Sequence, residues 1–310
     1  MNFIYCLDKN YNTQAIMSFY TLNKFVDETI NVYVVHNKPE TLIDELKKFN
    51  FNNLKFEFLK FENKVDLPNL KNSHVTEATY YRIFAINLLD IEIEDIIYVD
   101  SDILFNKNPI NEFKRHLEVL KNSDFTISAS TIGRYKKVDE ETDRYFEYLG
   151  MDDKYFNAGV IAYDLIKYHK KNLSTKLEQH LFSFNKEAKY WDQDILNSFF
   201  NGEYLELDRS LNNSVALEDT KLNLKKVLEN STIHFAGKTK PWHVAGMKSP
   251  LGNHFQDIYL EAFKKKYFIS PFNKLRHINE LFDFIVNKKD YLVENRIYFI
   301  IKSLRAIFKF

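Results

Sequence analysis

Short apolar segments alternate with helix-like segments along the first 105 residues, and this alternation limits the folds open to the chain. Parallel strands need long crossover connections, which are usually helical, so the alternation predicts a parallel sheet built from βαβ units. In such sheets a ligand binds beyond the carboxyl ends of the strands. The predicted strands begin near residues 2, 30, 54 and 96, and the predicted helices cover about 13–27, 39–49 and 76–89.

Beyond residue 105 the pattern is less regular. Residues 124–129 and 232–235 are predicted to be strands, and residues 165–185 and 191–200 to be helical. The stretch Asn157-Ala158-Gly159 is predicted to lie in a loop that enters a buried strand ending near Tyr163. Taken by itself, that stretch is a plain turn.

The segment Ile96–Phe105 is predicted to be a buried strand that carries Asp100-Ser101-Asp102 near its end. In an extended chain, residues i and i+2 point to the same side of the strand. The two carboxylates are therefore expected to offer oxygens to one divalent cation. Short Asp-x-Asp motifs arise often by chance, so the argument depends on the position after a strand.

A second Asp-x-Asp motif, Asp192-Gln193-Asp194, occurs where a helix is predicted to begin. Asp192 is predicted to cap that helix, since Asp side chains accept hydrogen bonds from the first turn. On a helix, Asp194 faces roughly 200° away from Asp192. Asp194 therefore either orients neighbouring side chains or extends the cap.

A third feature is His234, near the end of the predicted strand at 232–235, with Gly237, Lys238 and Lys240 following it. Two Asp and one His are a suitable ligand set for octahedral Mn²⁺, completed by phosphate oxygens. Lysines neutralise phosphate, and glycine lets the backbone approach it. Alone, His234 is more often a structural histidine and the lysines are solvated charges. Their combination with the Asp pair predicts a metal and diphosphate site.

Composition narrows the class of protein. Basic and acidic residues both number 43 among the 310 residues, so there is no basic excess of the kind that indicates nucleic-acid binding. Cys6 is the only cysteine, which excludes an intrachain disulfide, and it is expected to be a buried residue of the first strand. No apolar run approaches the roughly 20 residues that span a membrane, and Asp8 interrupts any signal-like start. A cytoplasmic protein, soluble or peripheral to a membrane, is expected.

The last 47 residues differ from the rest, because residues 264–310 contain 11 basic and 4 acidic side chains. We therefore expect a catalytic domain over 1–263 and a helical, basic and aromatic segment over 264–310 that associates with an anionic membrane or a partner. The alternative is a helix that docks on the catalytic domain. The final helix is predicted to carry one apolar stripe, with Lys302, Arg305 and Lys309 to its other side; the stripe contains Ile297, Ile300, Ile301, Leu304, Ile307 and Phe308.

Over roughly residues 1–260 the chain resembles glycosyltransferase family 8, especially its bacterial lipopolysaccharide α-galactosyltransferase and glucosyltransferase members. Several motifs carry the resemblance and occur in the order of the family. They are Asp8-Lys9-Asn10-Tyr11, His74-Val75-Thr76, Tyr80-Tyr81-Arg82, Tyr98-Val99-Asp100-Ser101-Asp102, Tyr155-Phe156-Asn157-Ala158-Gly159-Val160, Asp192-Gln193-Asp194-Ile195-Leu196-Asn197, His234-Phe235-Ala236-Gly237 and Lys240-Pro241-Trp242.

The resemblance implies a GT-A fold, in which a Rossmann-like, nucleotide-sugar-binding mixed sheet is flanked by helices. It also implies a retaining transferase that needs Mn²⁺ or Mg²⁺ and takes galactose or glucose from UDP. The implied metal ligands are Asp100, Asp102 and His234. The implied donor-binding residues are Asp8, Asn10 and Tyr11 at uridine, Gly237 and Lys240 at the phosphates, and Arg82, Asn157, Ala158 and Ser101 elsewhere along the donor. Asp192 and Gln193 are implied to lie nearest the anomeric carbon as the catalytic pair.

Gln193 bears on how the anomeric configuration would be retained. A covalent route needs a carboxylate nucleophile, and an amide is a poor one. Attack from the face of the leaving group is therefore favoured, with the departing diphosphate taking the proton of the acceptor.

The acceptor implied is a cell-surface glycan such as lipooligosaccharide or lipopolysaccharide. Tyr190 and His74 match positions near the acceptor in the bacterial relatives, whereas Val215 and Ala216 replace a proline and a threonine there. Three other functions stay open: a nucleotidyltransferase, a glycogenin-like or capsule glucosyltransferase, and a non-catalytic sugar-nucleotide-binding protein. The absence of glycine from residues 8–12 counts against the first.

Overall fold

Seven strands form the main sheet of this computed structural model, which describes residues 1–62, 77–136, 139–217, 219, 222–243, 246–265, 268–270, 278, 281–282, 286 and 296–308. The motif His74-Val75-Thr76 and residue Lys309 lie outside the described residues. The strands of the main sheet are β1 (Asn2–Leu7), β2 (Ile30–His36), β3 (Leu54–Lys60), β4 (Asp95–Val99), β6 (Ile127–Arg134), β7 (Lys154–Asp164) and β8 (Leu205–Glu206). A second sheet contains β5 (Ile103–Phe105), β9 (Ser214–Ala216) and β10 (Thr232–Ala236).

The strand order of the main sheet is β3-β2-β1-β4-β7-β6-β8. The first four of these strands are parallel, as the βαβ alternation predicts, and β7 runs antiparallel to both β4 and β6. The parallel strands β1, β2 and β4 are buried apolar runs, as expected for a sheet covered on both faces. Since their carboxyl ends share one edge, the residues after β1 and β4 face the same region.

Eleven α-helices are described. They are α1 (Asn12–Phe25), α2 (Pro39–Leu46), α3 (Tyr81–Ala85), α4 (Ile110–Lys121), α5 (Glu140–Leu149), α6 (Leu165–Lys170), α7 (Leu173–Ser183), α8 (Asp192–Phe200), α9 (Leu224–Leu228), α10 (Pro250–Phe263) and α11 (Arg296–Phe308). Those at 12–25, 39–46, 192–200 and 296–308 follow predicted helical segments, whereas those at 110–121 and 250–263 were not predicted.

The helix predicted over 76–89 is wrong as a single element. Its described part consists of a 3₁₀ turn (Glu77–Tyr80), the short α3 and a second 3₁₀ turn (Ile86–Leu88). From Ala78 to Ile86 every residue is buried or half-buried, including the buried Tyr80, Tyr81 and Ile83. Packing on all sides therefore decides its backbone, and local helical periodicity does not.

The strand predicted over Ile96–Phe105 is also wrong as one element. β4 ends at Val99, and the chain turns at Asp100–Asp102, where the Ile103 N–H donates to the Asp100 carbonyl at 3.3 Å. It then continues as β5, which pairs antiparallel with β10 in the second sheet. The turn, and not an extended alternation, places the two carboxylates.

The stretch Asn157-Ala158-Gly159 lies inside β7 rather than in an entering loop. The pairing of β7 with β6 shifts there, because Ala129 is opposite Ile161 whereas the next residue, Ser130, is opposite Asn157. Residues 158–160 thus form a β-bulge on the β6 side of the strand. Bulges occur often beside active sites because they free backbone groups to bind side chains.

The chain divides into two compact units, residues 1–214 with 228–234 and residues 215–227 with 235–310. Within the second unit α10 ends at Phe263, and Lys264 adopts a left-handed conformation. A catalytic domain ending at residue 263 stays a prediction.

The apolar stripe predicted for α11 is divided between two faces. Ile307 is buried with Leu281 and Phe299, whereas Ile297 and Ile301 are exposed. Among the helices within the described residues, none has the length and apolar character needed to cross a membrane.

Candidate active site

Three electron-pair donors meet where β4 leaves the main sheet. His234 Nε2 lies 3.4 Å from Asp102 Oδ1 and 3.7 Å from Asp100 Oδ2. One ligand atom from each residue falls within 4.8 Å of the others, the one such group of three found among the described residues. The antiparallel pairing of His234 with Ile103 explains the convergence, since it places the histidine beside the turn.

This donor set fits a divalent cation. The other ring nitrogen of His234, Nδ1, lies 3.0 Å from Asn212 Oδ1. An Nδ1–H donated to that oxygen leaves Nε2 with its lone pair towards the two carboxylates. Two carboxylate oxygens and one imidazole nitrogen with no proton between them suit Mn²⁺ or a similar ion.

Gly159 permits the close approach of His234. A Cβ at this position would lie 2.5 Å from His234 Nδ1 and closer still to Cε1. The carbonyl of Gly159 also accepts the Asp100 N–H at 2.8 Å. One glycine of β7 therefore contacts both the carboxylate turn and the histidine.

Arg82 connects the two Asp-x-Asp motifs. Its Nη2 lies 2.7 Å from Asp100 Oδ1, and its Nη1 donates to the Ala158 carbonyl at 2.6 Å in the bulge. Nε lies 2.7 Å from Asp192 Oδ2, a charge contact without the alignment of a hydrogen bond. The guanidinium also covers the Tyr98 ring, 4.4 Å from its centroid. Arg82 therefore organises protein groups in this structure.

Asp100 uses its two oxygens differently. Oδ1 accepts from Arg82 and from the Tyr98 hydroxyl, the latter at 2.6 Å. Oδ2 faces His234. Pairing with a guanidinium and a phenol holds the carboxylate in one orientation, so its second oxygen is directed at the candidate cation site.

Asp192 does not cap its helix as predicted. The capping position is Trp191, which has a positive φ of 50° and makes no side-chain cap hydrogen bond. Asp192 is the first helical residue, and its side chain is 5% exposed between Arg82 and the Thr79 hydroxyl. Tertiary contacts with a segment far back in the chain replace the local cap.

Burial raises the pKa of Asp192 from 3.8 to about 6. The Arg82 guanidinium, which Asp192 shares with Asp100, and the Thr79 hydroxyl oppose this increase only in part. The folded state then holds this proton more tightly than the unfolded chain. The stabilisation that this bound proton contributes is full below about pH 4 and is lost as the pH rises to about 6. The free energy of unfolding falls by on the order of 3 kcal/mol over this range.

We therefore expect the free energy of unfolding of the wild type to fall relative to that of Asp192→Asn as the pH rises from about 4 to about 6. Urea titrations of both metal-free proteins across this range measure the difference. Parallel pH profiles would contradict it.

Gln193 and Asp194 belong to one hydrogen-bond chain. Asp194 is fully buried and accepts from the Tyr145 hydroxyl, the Tyr155 hydroxyl and the Tyr190 N–H, each at 2.6 Å. Gln193 Nε2 donates to the Tyr155 hydroxyl, and its Oε1 accepts the Ala158 N–H, both at 3.1 Å. Asp194 thus orients its neighbours, one of the two roles that its spacing left open.

The predicted uridine-binding residues follow β1, at the same edge of the sheet. Asp8 is buried and accepts the Asn10 N–H at 2.8 Å, which begins a 3₁₀ turn at Lys9–Tyr11.

The predicted phosphate-binding residues, Gly237 and Lys240, belong to the second compact unit. There, Gly237 has a left-handed φ of 81°, and Lys240 Nζ donates to the Phe235 carbonyl at 2.5 Å.

Sequence reasoning did not identify Asn212, Thr79 or Tyr145. Each contacts a predicted site residue in the folded chain: Asn212 meets His234, Thr79 meets Asp192, and Tyr145 meets Asp194. Polar residues of these types are frequent in this chain, and no local motif distinguishes these three.

The chain is similar in sequence and in fold to known proteins. Residues 2–246 match the family described as Glycosyl transferase family 8. A lipopolysaccharide 1,2-glucosyltransferase of Escherichia coli (strain K12) is 33% identical over 175 residues. The matched region covers 54% of this chain and 50% of that protein. A lipopolysaccharide 1,3-galactosyltransferase of Salmonella typhimurium (strain LT2) is 24% identical over 276 residues, 82% of this chain and 76% of that protein.

Among solved structures, the galactosyltransferase LgtC in complex with donor and acceptor sugar analogues matches with a TM-score of 0.65. The match has 18% identity and covers 84% of this chain and 96% of that chain. It confirms the expectation of a GT-A fold. Because the family match spans most of its length, the chain belongs to glycosyl transferase family 8 and is a glycosyltransferase.

Proposed function

We propose that this protein transfers galactose or glucose from a UDP-sugar, with retention of configuration, to a lipopolysaccharide-type glycan acceptor, and that it needs Mn²⁺ or a similar ion. The convergence of Asp100, Asp102 and His234 beyond β4 is the observation that carries the proposal. The relatives named for lipopolysaccharide glucosyl and galactosyl transfer support the hexose and the acceptor class.

Within this proposal, Asp100, Asp102 and His234 hold the ion, which when bound supplies positive charge to stabilise the departing diphosphate. Asp8, Asn10 and Tyr11 bind uridine, and Gly237 and Lys240 bind the phosphates. Ser101, in the carboxylate turn, also contacts the donor. Arg82 acts by holding Asp100 and Asp192 in place, since its nitrogens are engaged by protein groups. Gln193 and Asp192 lie beside the anomeric carbon.

Retention follows from attack on the leaving-group face. The bond from C1 to the diphosphate oxygen breaks, the bond from C1 to the acceptor oxygen forms, and the acceptor proton passes to the departing phosphate. Two observations support this route. Both ends of the Gln193 amide are hydrogen-bonded to protein groups, and the fully buried Asp194 accepts hydrogen bonds from three donors. A glycosyl adduct on Gln193 or Asp194, seen by intact-protein mass spectrometry during turnover, would disprove it.

The function is tested by UDP release from a panel of UDP-sugars with an oligosaccharide-core acceptor, with Mn²⁺ and with EDTA. We expect release from UDP-galactose or UDP-glucose only when the ion is present. Binding of UDP and Mn²⁺ without release from any sugar would favour a non-catalytic protein. A mass increase of the protein itself with UDP-glucose would favour a self-glucosylating enzyme.

We also propose that α11 attaches the enzyme peripherally to the cytoplasmic face of an anionic membrane. Ile297, Ile301 and Phe308 are exposed along one side of this helix, and Lys302 and Arg305 are exposed beside them. Apolar side chains flanked by basic ones suit an anionic interface.

Flotation of the whole protein with phosphatidylglycerol and with phosphatidylcholine vesicles tests this attachment. We expect binding to the anionic vesicles alone, weakened by salt and by the pair Ile297→Ser and Ile301→Ser. Ile166→Ser, at an exposed isoleucine of α6, is the matched control. Equal flotation of the pair variant and the control would contradict the proposal.

A further inference from the structure

The orientation of His234 is determined by a chain of hydrogen bonds that starts at a backbone amide. The Gly159 N–H donates to Asn157 Oδ1 at 3.0 Å, and a backbone N–H can only be a donor. Asn157 Oδ1 is thereby identified as the oxygen of its amide. The ambiguity between O and N in an asparagine side chain is removed at this first step.

The orientation of the side-chain amide of Asn212 follows from this assignment. Asn212 Nδ2 donates to Asn157 Oδ1 at 2.9 Å and to the Asn157 carbonyl at 3.3 Å. Both partners are acceptors, so the nitrogen of Asn212 must face them, and Oδ1 must face the other way. That oxygen lies 3.0 Å from His234 Nδ1. An amide oxygen only accepts, so Nδ1 carries the proton.

The remaining ring nitrogen, Nε2, is then the one that faces Asp100 and Asp102 with a lone pair. Burial strengthens this assignment, because His234 is 5% exposed, Asn212 3% and Asn157 8%. A buried donor or acceptor without its partner is unfavourable. Turning over any one of these amides or the imidazole ring would therefore cost free energy, because it would break its hydrogen bonds in this series. Gly159 also packs against the ring and limits its rotation.

We propose that Asn212 and Asn157 are positioning residues that hold His234 as the Nδ1-protonated tautomer, with Nε2 directed at the divalent cation. The proposal rests on the metal site of the proposed function. It also limits the expected role of Asn157 at the donor sugar to its Nδ2 group, since Oδ1 is engaged by Gly159 and Asn212.

The first test measures the Mn²⁺ dissociation constant of the whole protein by electron paramagnetic resonance of free Mn²⁺. We expect Asn212→Ala and Asn157→Ala to weaken binding by about 10–100-fold, as the loss of an outer partner of a metal ligand does. Asn157→Asp keeps an acceptor towards Gly159 and Asn212, and we expect affinity within about threefold of wild type, because it restores the polarity of the chain.

Asn53→Ala is the matched control. Like Asn212, the Asn53 side chain donates to two acceptors, here the carbonyls of Asn23 and Val26, but it lies just before β3, away from the site. We expect it to lower stability to urea without changing the Mn²⁺ affinity. If Asn53→Ala weakened Mn²⁺ binding as much as Asn212→Ala, the positioning role would be wrong.

A second test needs no variant at the asparagines. The long-range ¹H–¹⁵N correlation spectrum of the metal-free protein, labelled at its nine histidines, shows which nitrogen of each ring carries the proton, and His234→Ala assigns the signal. We expect Nδ1 to carry a proton. A proton on Nε2 alone would overturn the inference even if Asn212→Ala did not fold.

The outcomes separate the two proposals. Unchanged Mn²⁺ binding in both Asp102→Asn and His234→Ala means that the metal assignment itself is wrong. Weakened binding in those variants together with unchanged binding in Asn212→Ala means that the metal site stands and the positioning role does not.

Discussion

Replacing Gly159 by alanine is expected to abolish Mn²⁺-dependent UDP release as completely as replacing His234 itself. The new methyl group would lie 2.5 Å from His234 Nδ1 and 3.0 Å from Asn157 Oδ1. Real Cβ atoms do not approach so closely, so the histidine ring or β7 must move. Either movement separates Nε2 from the two carboxylates. We expect activity and Mn²⁺ affinity to fall by about 100-fold or more, beyond the usual effect of losing an outer partner.

Gly133→Ala is the control for this substitution. Gly133 lies on the neighbouring strand β6, opposite Tyr155, and a Cβ there would meet Phe146 at an ordinary 3.4 Å. We expect it to keep near wild-type activity. Full activity and unchanged Mn²⁺ affinity in Gly159→Ala would show that His234 does not need its observed position.

Replacing Arg82 by methionine is expected to lower the free energy of unfolding by about 3–5 kcal/mol, in addition to its effect on activity. The guanidinium, with the side chain 9% exposed, neutralises Asp192, 5% exposed, and Asp100, 22% exposed. Without it, two carboxylates, one of them almost fully buried, and the Ala158 carbonyl lose their cationic partner. Urea unfolding of the metal-free protein at neutral pH measures the loss.

An exposed ion pair provides the contrast. Lys114 Nζ lies 2.6 Å from Glu28 Oε2, but the two side chains are 52% and 38% exposed. Solvent screens such a pair, so we expect Lys114→Met to change stability by only about 0–1 kcal/mol. If both variants had the same small effect, the ion-pair network at Arg82 would not contribute to the stability of this fold.

The Asp100–Asp102 turn shows how far sequence reasoning reaches. The motif, its position after a buried strand and its association with His234 were all predictable, and the structure brings the three residues together. The expected reason, alternation along an extended strand, was wrong. β4 ends at Val99 because the chain leaves the main sheet for β5, whose partner β10 lies about 130 residues further on.

The roles within the Asp192 motif were predictable only in part. The helix itself was expected, since it has a polar start and an apolar face. Its first residue, Asp192, was expected to cap it, but pairs instead with Arg82 and with Thr79, 113 positions earlier in the chain. Arg82 and Thr79 are too distant in sequence from Asp192 for a helix-capping rule to include them, because such a rule uses only the residues next to the start of the helix.

The sequence by itself determined the βαβ alternation of the first half of the chain and the chemical types gathered at the sheet edge, because apolar periodicity and side-chain chemistry are local properties. The tertiary structure alone decided how each side chain is used. Asn212 meets His234 across 22 positions and Asn157 across 55, and the bulge in β7 supplies the backbone groups that orient Arg82 and Gln193. Hydrogen-bond polarity and desolvation depend on atoms that distant segments bring together, and this arrangement of atoms exists only once the chain has folded.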